Sequence, residues 1–276
     1  MAIVGVHGIW NYGYFRETGS AVGAARAISQ DWTNWLRAGL GDNHSEEVRV
    51  GYYAHYLHRG IPQGDDDVAL LEDDAKDMLV SWVELLQPIP QIAQGPRTVR
   101  ARQAADWLTA KFGNSARRFA VVFVREVSTY LKNVSPRRVA ARESVANTIA
   151  EMIDTSLHGT RTVIAHSLGS VVTYEALWAY PELQIDQLIT LGSPLGMPGV
   201  VFERLQPRPE VGRGKRPPGV GHWVNLADIG DIVAVPRGGL GALFDGITQD
   251  VEITIATWGF HKVKHYLSCG ALTEYL

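Results

Sequence analysis

Residues 161–180 constrain this chain more than any other stretch. Arg161-Thr-Val-Ile-Ala-His-Ser-Leu-Gly-Ser-Val-Val-Thr173 opens on a β-branched run, Thr162 to Ile164, of the kind that forms a buried strand. The run stops at Ala165-His166-Ser167-Leu168-Gly169, and an apolar segment of helical length follows at once, from Ser170 to about Tyr180. A strand that turns abruptly into a helix, with a serine at the turn, strains that serine's backbone and lifts its hydroxyl out of the sheet. Small residues on either side, Ala165 and Gly169, let strand and helix approach closely.

The chain has 276 residues, enough for one large domain with a core, and a single domain over 1–276 is the expectation. Hydrophobic content of 46% against 20% charged residues excludes a disordered chain. Lys and Arg number 26 against 29 Asp and Glu, so no overall field favours nucleic acid. The locally basic stretch, Arg204 to Arg216, is rich in Pro and Gly and reads as a solvated surface loop. Cys269 is the single cysteine, which rules out an internal disulfide and a cysteine-based metal site. Met1-Ala-Ile-Val-Gly-Val enters a strand directly, with no basic n-region and no long apolar h-region, so no secretory signal is expected. No run is long and apolar enough for a transmembrane anchor. The expectation is a cytoplasmic protein.

Ala2 to Val6 reads as a buried strand that runs into His7-Gly8-Ile9-Trp10-Asn11. Gly13 to Ser29 reads as a loop leading into a helix over Gln30 to Leu40, where Trp32, Trp35, Leu36 and Leu40 share one face. Glu47 to Tyr53 reads as the next strand. His55 and His58 lie in an aromatic segment, and with Asp65-Asp66-Asp67 nearby they form no convincing ligand set, so no metal is expected. Val68 to Leu86 reads as an amphipathic helix ended by Pro88 and Pro90; Arg97 to Phe112 reads as another, with Val99, Trp107, Leu108 and Phe112 inward. Phe119 to Phe123 fits strand or helix. Pro136 opens a helix to about Ser156, with Val139, Ala146, Ile149 and Ile153 inward. Beyond the serine unit come a strand at Gln187–Leu191 ending in Gly192-Ser193-Pro194, strand-like Trp223–Leu226 followed by Asp228 and Asp231, a strand over Val251–Ile255, and a closing segment with His261 and His265. Dinucleotide, Walker and HExxH motifs are absent, and no cofactor is expected.

These features together resemble the α/β-hydrolase family, in its lipase- and esterase-like branch. Ala165-His-Ser-Leu-Gly169 resembles the Gly-x-Ser-x-Gly elbow, with alanine in the first glycine position. His7-Gly8 after a strand resembles the oxyanion loop, and Gly-Ser-Pro resembles a loop bordering the site. The resemblance implies an α/β fold with a reduced, mostly parallel sheet of six or seven strands flanked by helices. It implies a helical insertion, residues 67–138, acting as a cap. It also implies the chain order nucleophile, acid, histidine. Ser167 matches the nucleophile. Asp231-Ile-Val-Ala resembles the family's Asp-Pro-Val and makes Asp231 the preferred acid, with Asp228 the alternative. His265-Tyr266 makes His265 the preferred base, with His261 the alternative. The implied oxyanion donors are the backbone N–H groups of Leu168 and of Ile9 or Trp10, with His7 bracing the loop around Gly8. His166 is expected to pack the elbow or line the pocket.

The implied activity is hydrolysis of a carboxylic ester through an acyl-enzyme, on a small-molecule or lipid-like acyl substrate. A thioesterase, an amidase or peptidase, and an acyltransferase would share that triad. A non-catalytic interaction protein on the same scaffold is the third class. The apolar insertion equally suits a homodimer face.

Overall fold

The sheet grows outward from the segment Ala2–Val6 (β1), whose five residues alternate between two apolar layers. Ile3 faces one layer; Val4 and Val6 face the other. The computed structural model describes residues 1–41, 46–60, 67–87, 92–133, 135–155, 159–236, 239–255 and 261–276. Val48–Gly51 (β2), Arg161–His166 (β3), Ile185–Leu191 (β4), Val220–Asp228 (β6) and Gln249–Ile253 (β8) join β1 in a six-stranded sheet of order β2-β1-β3-β4-β6-β8. Every pairing in it is parallel. Gly214–Lys215 (β5) pairs with Phe244–Asp245 (β7) in a separate two-stranded ribbon. The Arg204–Arg216 stretch, read as a plain surface loop, thus contributes a short strand.

Both faces of a parallel sheet must be covered, because the crossovers carry helices over it. Ala21–Leu40 (α2) and Val263–Ser268 (α9) cover one face, packing Ile28, Trp32, Tyr266 and Leu267 against Ile164 and Ile189. Pro136–Thr155 (α7) and Leu168–Ala179 (α8) cover the other. Asp73–Leu86 (α4), Arg97–Phe112 (α5) and Asn114–Leu131 (α6) pack on one another in that same layer, within the 67–138 segment. Short helices Tyr12–Thr18 (α1) and Ala54–Leu57 (α3) follow β1 and β2. Among the described residues no helix is long and apolar enough to cross a membrane.

The strand order sets where a site can form. From β1 the chain moves outward to β2, then returns to β3 on the other side of β1 and continues away to β4. The carboxyl ends of β1 and β3 therefore border the crevice where the winding reverses, the usual ligand position in open α/β sheets.

Several local expectations need correction. The helix expected from Gln30 starts at Ala21, because Ser20 caps it by accepting the Gly23 N–H at 3.0 Å, and α1 occupies much of the expected loop before it. The Val68–Leu86 helix is split: Val68–Leu70 is a 3-10 turn, and α4 starts only at Asp73. Phe119–Phe123, whose sequence fits either strand or helix, is helical, within α6, which runs on through Tyr130 and Leu131. Val99 and Phe112 of α5 are exposed; its inner face is Ala101, Ala104, Ala105 and Leu108, small enough for close approach to α4 and α6. In α7 Val139 is exposed and Arg138 is buried instead, its guanidinium bonded to Glu175 of α8. Tyr130 also donates to Glu175, at 2.8 Å, and so does the Gln206 N–H at 3.0 Å. Pro88, Pro90, Ser156, Asp65 and Asp66 lie outside the described residues.

Candidate active site

The elbow forms as its composition dictates. β3 ends at His166, Ser167 takes φ 55° and ψ −132°, and α8 starts at Leu168. The turn is held from both sides. Ser167 N–H donates to Leu191 O at 3.0 Å, and the Ser170 hydroxyl donates to Ser167 O at 2.6 Å. Ser170 Oγ also shares a 2.7 Å hydrogen bond with Ser193 Oγ, which ties the Gly-Ser-Pro loop after β4 to the elbow. Two glycines here are demanded by close approach. A Cβ on Gly169 would collide with the carbonyl oxygens of Val6 and His7; one on Gly8 would lie 2.6 Å from Ser167 Cβ and 3.1 Å from its Oγ.

Ser167 Oγ lies 2.6 Å from His261 Nε2, and His261 Nδ1 lies 2.7 Å from Asp231 Oδ2 and 2.9 Å from Oδ1. The network is consistent with one tautomer, in which Nδ1–H donates to the carboxylate and Nε2 accepts the serine proton. Asp231 is buried in a turn after β6 and accepts two further bonds, from Val233 N–H at 2.8 Å and from the Tyr266 hydroxyl at 2.8 Å. Burial alone would raise its pKa. The facing His261 and these donors outweigh that and hold it below the ordinary carboxylate value. Asp231 therefore stays ionised beside the imidazole.

The histidine in contact with Ser167 is thus His261, and His265 does not occupy that place. His265 lies on α9, whose inward positions are Tyr266 and Leu267. Consecutive helical residues point about 100° apart, so with Tyr266 turned onto Asp231 the preceding side chain is directed elsewhere. His265 is not among the residues lining the cavity beside Ser167, whereas His261 is. Of the two carboxylates after β6, Asp231 meets the histidine. Asp228 is used structurally: its Oδ1 accepts Ile255 N–H at 2.9 Å and its own N–H donates to Tyr266 Oη at 2.9 Å. Tyr266, which no sequence motif singled out except as the neighbour of His265, bridges both aspartates.

The loop after β1 is braced by His7. Its Nδ1–H donates to Gly8 O at 2.7 Å, its Nε2 accepts Tyr53 N–H at 3.2 Å, and its ring stacks on Tyr53 at 4.3 Å. Burial pushes the His7 pKa down to about 4, so the ring is neutral at pH 7. The two oxyanion alternatives in this loop are now distinguishable. Trp10 N–H faces the Glu126 carboxylate at 3.3 Å, while Ile9 N–H has no acceptor among the described residues. Leu168 N–H is at the first position of α8, where no intrahelical acceptor exists.

His166 is buried, its ring packs against that of His261 at a tilt of 32° with 4.7 Å between centroids, and its Nε2 has no hydrogen-bond partner among the described residues. Burial drives its pKa well below the usual histidine value, helped by the charge of His261. A neutral His166 adds no repulsion when the neighbouring imidazole takes up a proton. Phe119 from α6 meets the His261 ring edge-on at 5.2 Å. His55 and His58 stack on Phe15 and Tyr12, and no cluster of three or more metal-ligating side chains occurs among the described residues.

Ser167, His166 and His261 lie in the wall of a cavity of about 1290 Å³, whose other walls come from the β1 loop, the α5–α6 corner and the start of α9. Four non-glycine residues have positive φ among the described residues, and three of them, Trp10, Ser167 and His261, line this cavity. Such strain persists only where the surroundings over-determine it, and it gathers at functional sites. Searches of protein-family models, of curated proteins and of solved structures gave no match to this chain.

Proposed function

We propose that this protein is a serine-dependent hydrolase of carboxylic esters, built on an α/β-hydrolase type of fold. The carrying observation is the unbroken chain Ser167 Oγ–His261 Nε2 at 2.6 Å and His261 Nδ1–Asp231 Oδ2 at 2.7 Å, on a strained strand–helix turn at the edge of a cavity. A serine hydroxyl is a weak nucleophile until a base takes its proton. His261 takes that proton as Ser167 attacks the ester carbonyl. Asp231 holds the tautomer and stabilises the imidazolium. The N–H groups of Leu168 and Ile9 receive the developing oxyanion. The proton then passes to the leaving alcohol, and a water repeats the sequence to release the acid and free Ser167. No cofactor enters this chemistry. Ile9, Trp10, Phe119 and Val263 give the cavity apolar wall that suits a lipophilic acyl group, and the α5–α6 corner of residues 67–138 acts as its cap. Thioesters, amides and acyl transfer share the same acyl-enzyme.

The test is steady-state hydrolysis of 4-nitrophenyl esters from two to twelve carbons by the wild type and Ser167→Ala. Saturable turnover that falls at least ~1000-fold in the variant is expected, in line with losses at acyl-enzyme nucleophiles. Turnover that survives in Ser167→Ala, or none at any chain length, would overturn the reading.

A further inference from the structure

The cavity's charge is out of keeping with the chain's. The whole molecule carries a formal net charge of −3. The cavity beside Ser167 is lined by Arg117, Arg118, Lys262 and Lys264 against one carboxylate, Asp106. That carboxylate is already paired with Arg117, at 2.8 Å. Arg118, Lys262 and Lys264 are exposed, and none of them forms an ion pair among the described residues. Arg118 lies 5.7 Å above the Trp10 ring, which fixes its guanidinium over the loop that borders Ser167. Lys262 directly follows His261, and Arg118 directly precedes Phe119, which touches the His261 ring. The three unpaired cations thus come from two sides of the same opening. The first residues of α6, Asn114 and Ser115, also line it, and no side chain caps that helix start. It adds to a field already set by the cations.

We propose that the cavity takes an acyl substrate bearing a phosphate group, with Arg118, Lys262 and Lys264 holding the phosphate and the acyl carbonyl presented to Ser167. The proposal rests on the nucleophile reading above and narrows it. A single carboxylate would satisfy one such cation. A phosphate carries a charge near −2 at neutral pH and several acceptor oxygens, so it can engage three. Guanidinium and ammonium donors on a concave surface also raise the local concentration of an anionic substrate. Ser167 Oγ bonds to the acyl carbon, the bond from that carbon to the leaving oxygen or sulfur breaks, and the leaving atom takes the proton from His261. Water then adds to the acyl carbon and regenerates Ser167, and the phosphate passes through unchanged.

Two matched pairs of substrates test this and separate the sources of the phosphate: hexanoyl-phosphopantetheine against hexanoyl-pantetheine, and dihexanoyl phosphatidic acid against dihexanoylglycerol. The expected result is that kcat/KM favours the phosphorylated member of at least one pair by at least ~10-fold at low salt. That ratio should shrink at least ~10-fold in the Lys262→Glu/Lys264→Glu double variant and fall with added salt. A preference in the thioester pair assigns a soluble carrier, and one in the lipid pair a headgroup. Turnover of the unphosphorylated members or of 4-nitrophenyl esters, without preference in either pair, overturns the phosphate proposal and leaves the hydrolase reading standing. If nothing is turned over, the hydrolase reading fails. Calorimetric binding of phosphopantetheine to the wild type then decides the phosphate proposal alone. Binding lost in the double variant supports it, and no binding overturns it.

Discussion

Lowering the pH from 7.5 to 5 should destabilise this protein through His7. The ring is fully enclosed, with Nδ1–H spent on Gly8 O and Nε2 accepting Tyr53 N–H. A second ring proton would place the His7 Nε2–H and the Tyr53 N–H head to head inside the core. Burial brings the folded pKa down to about 4, below the ordinary histidine value of about 6.5. A histidine with a depressed folded pKa contributes stability that is present above about pH 6.5 and is lost as pH falls toward 4. The lowering to about 4 corresponds to about 3 kcal/mol, of which about 2 kcal/mol is gone by pH 5. His166 shifts in the same direction and adds to the loss. The assay is denaturant unfolding at pH 7.5 and pH 5.0 for the wild type and His7→Gln. The wild type should lose about 2 kcal/mol more than the variant over that interval. Because His7→Gln can itself perturb the β1 loop, the His7 ring titration followed by NMR in the wild type is the second readout. Equal pH dependence of the two proteins, or a His7 ring that titrates near 6.5, would show that burial of His7 carries no such penalty.

Other substitutions probe the residues that support the site and the core. Tyr266→Phe removes one of the donors to Asp231 and orphans the Asp228 N–H, so stability should fall by about 1.5–3 kcal/mol, with ester kcat/KM reduced. An unchanged Tm together with unchanged kcat/KM would show that the hydroxyl does not support the acid. Gly169→Ala drives a methyl into the backbone carbonyls of Val6 and His7, which cannot swing aside as a side chain could. A loss of at least about 1–3 kcal/mol in unfolding free energy is expected, and a wild-type Tm would contradict the close approach of α8 to β1. Glu175→Gln leaves the buried Arg138 guanidinium without its anion; a cost of about 3–5 kcal/mol should appear in denaturant unfolding, and a near-neutral effect would show the pair to be dispensable.

What the sequence could reveal tracks how local each constraint is. The elbow was legible because strand, turn serine and helix are contiguous, and its glycine at 169 is required by chain segments that pack on any such turn. Asp231 was legible as a carboxylate just beyond a strand. The choice between His261 and His265 was not. They are four residues apart, and which one faces Ser167 depends on where α9 begins and on Tyr266 filling the inward position beside Asp231. That position is set by a partner 35 residues away. Trp10 and Ile9 were likewise inseparable until Glu126, 116 residues on, was seen to engage Trp10 N–H. In the 67–138 segment the large apolar residues of α5 misled. Close helix packing selected the alanine face, and Val99 and Phe112 were left outside. The burial of Arg138 in α7 has no local signature, because its counter-charge, Glu175, lies on another helix.

Everything proposed for this site depends on activation of Ser167 by His261. A fluorophosphonate labels an activated serine and leaves ordinary serines untouched, so labelling with the modified residue located by mass spectrometry addresses that activation without any choice of substrate. The wild type and His265→Ala should be labelled stoichiometrically at Ser167, His261→Ala should react at least ~100-fold more slowly, and Ser167→Ala should not react. Rapid labelling of His261→Ala, loss of labelling in His265→Ala, or an unreactive wild type would contradict it.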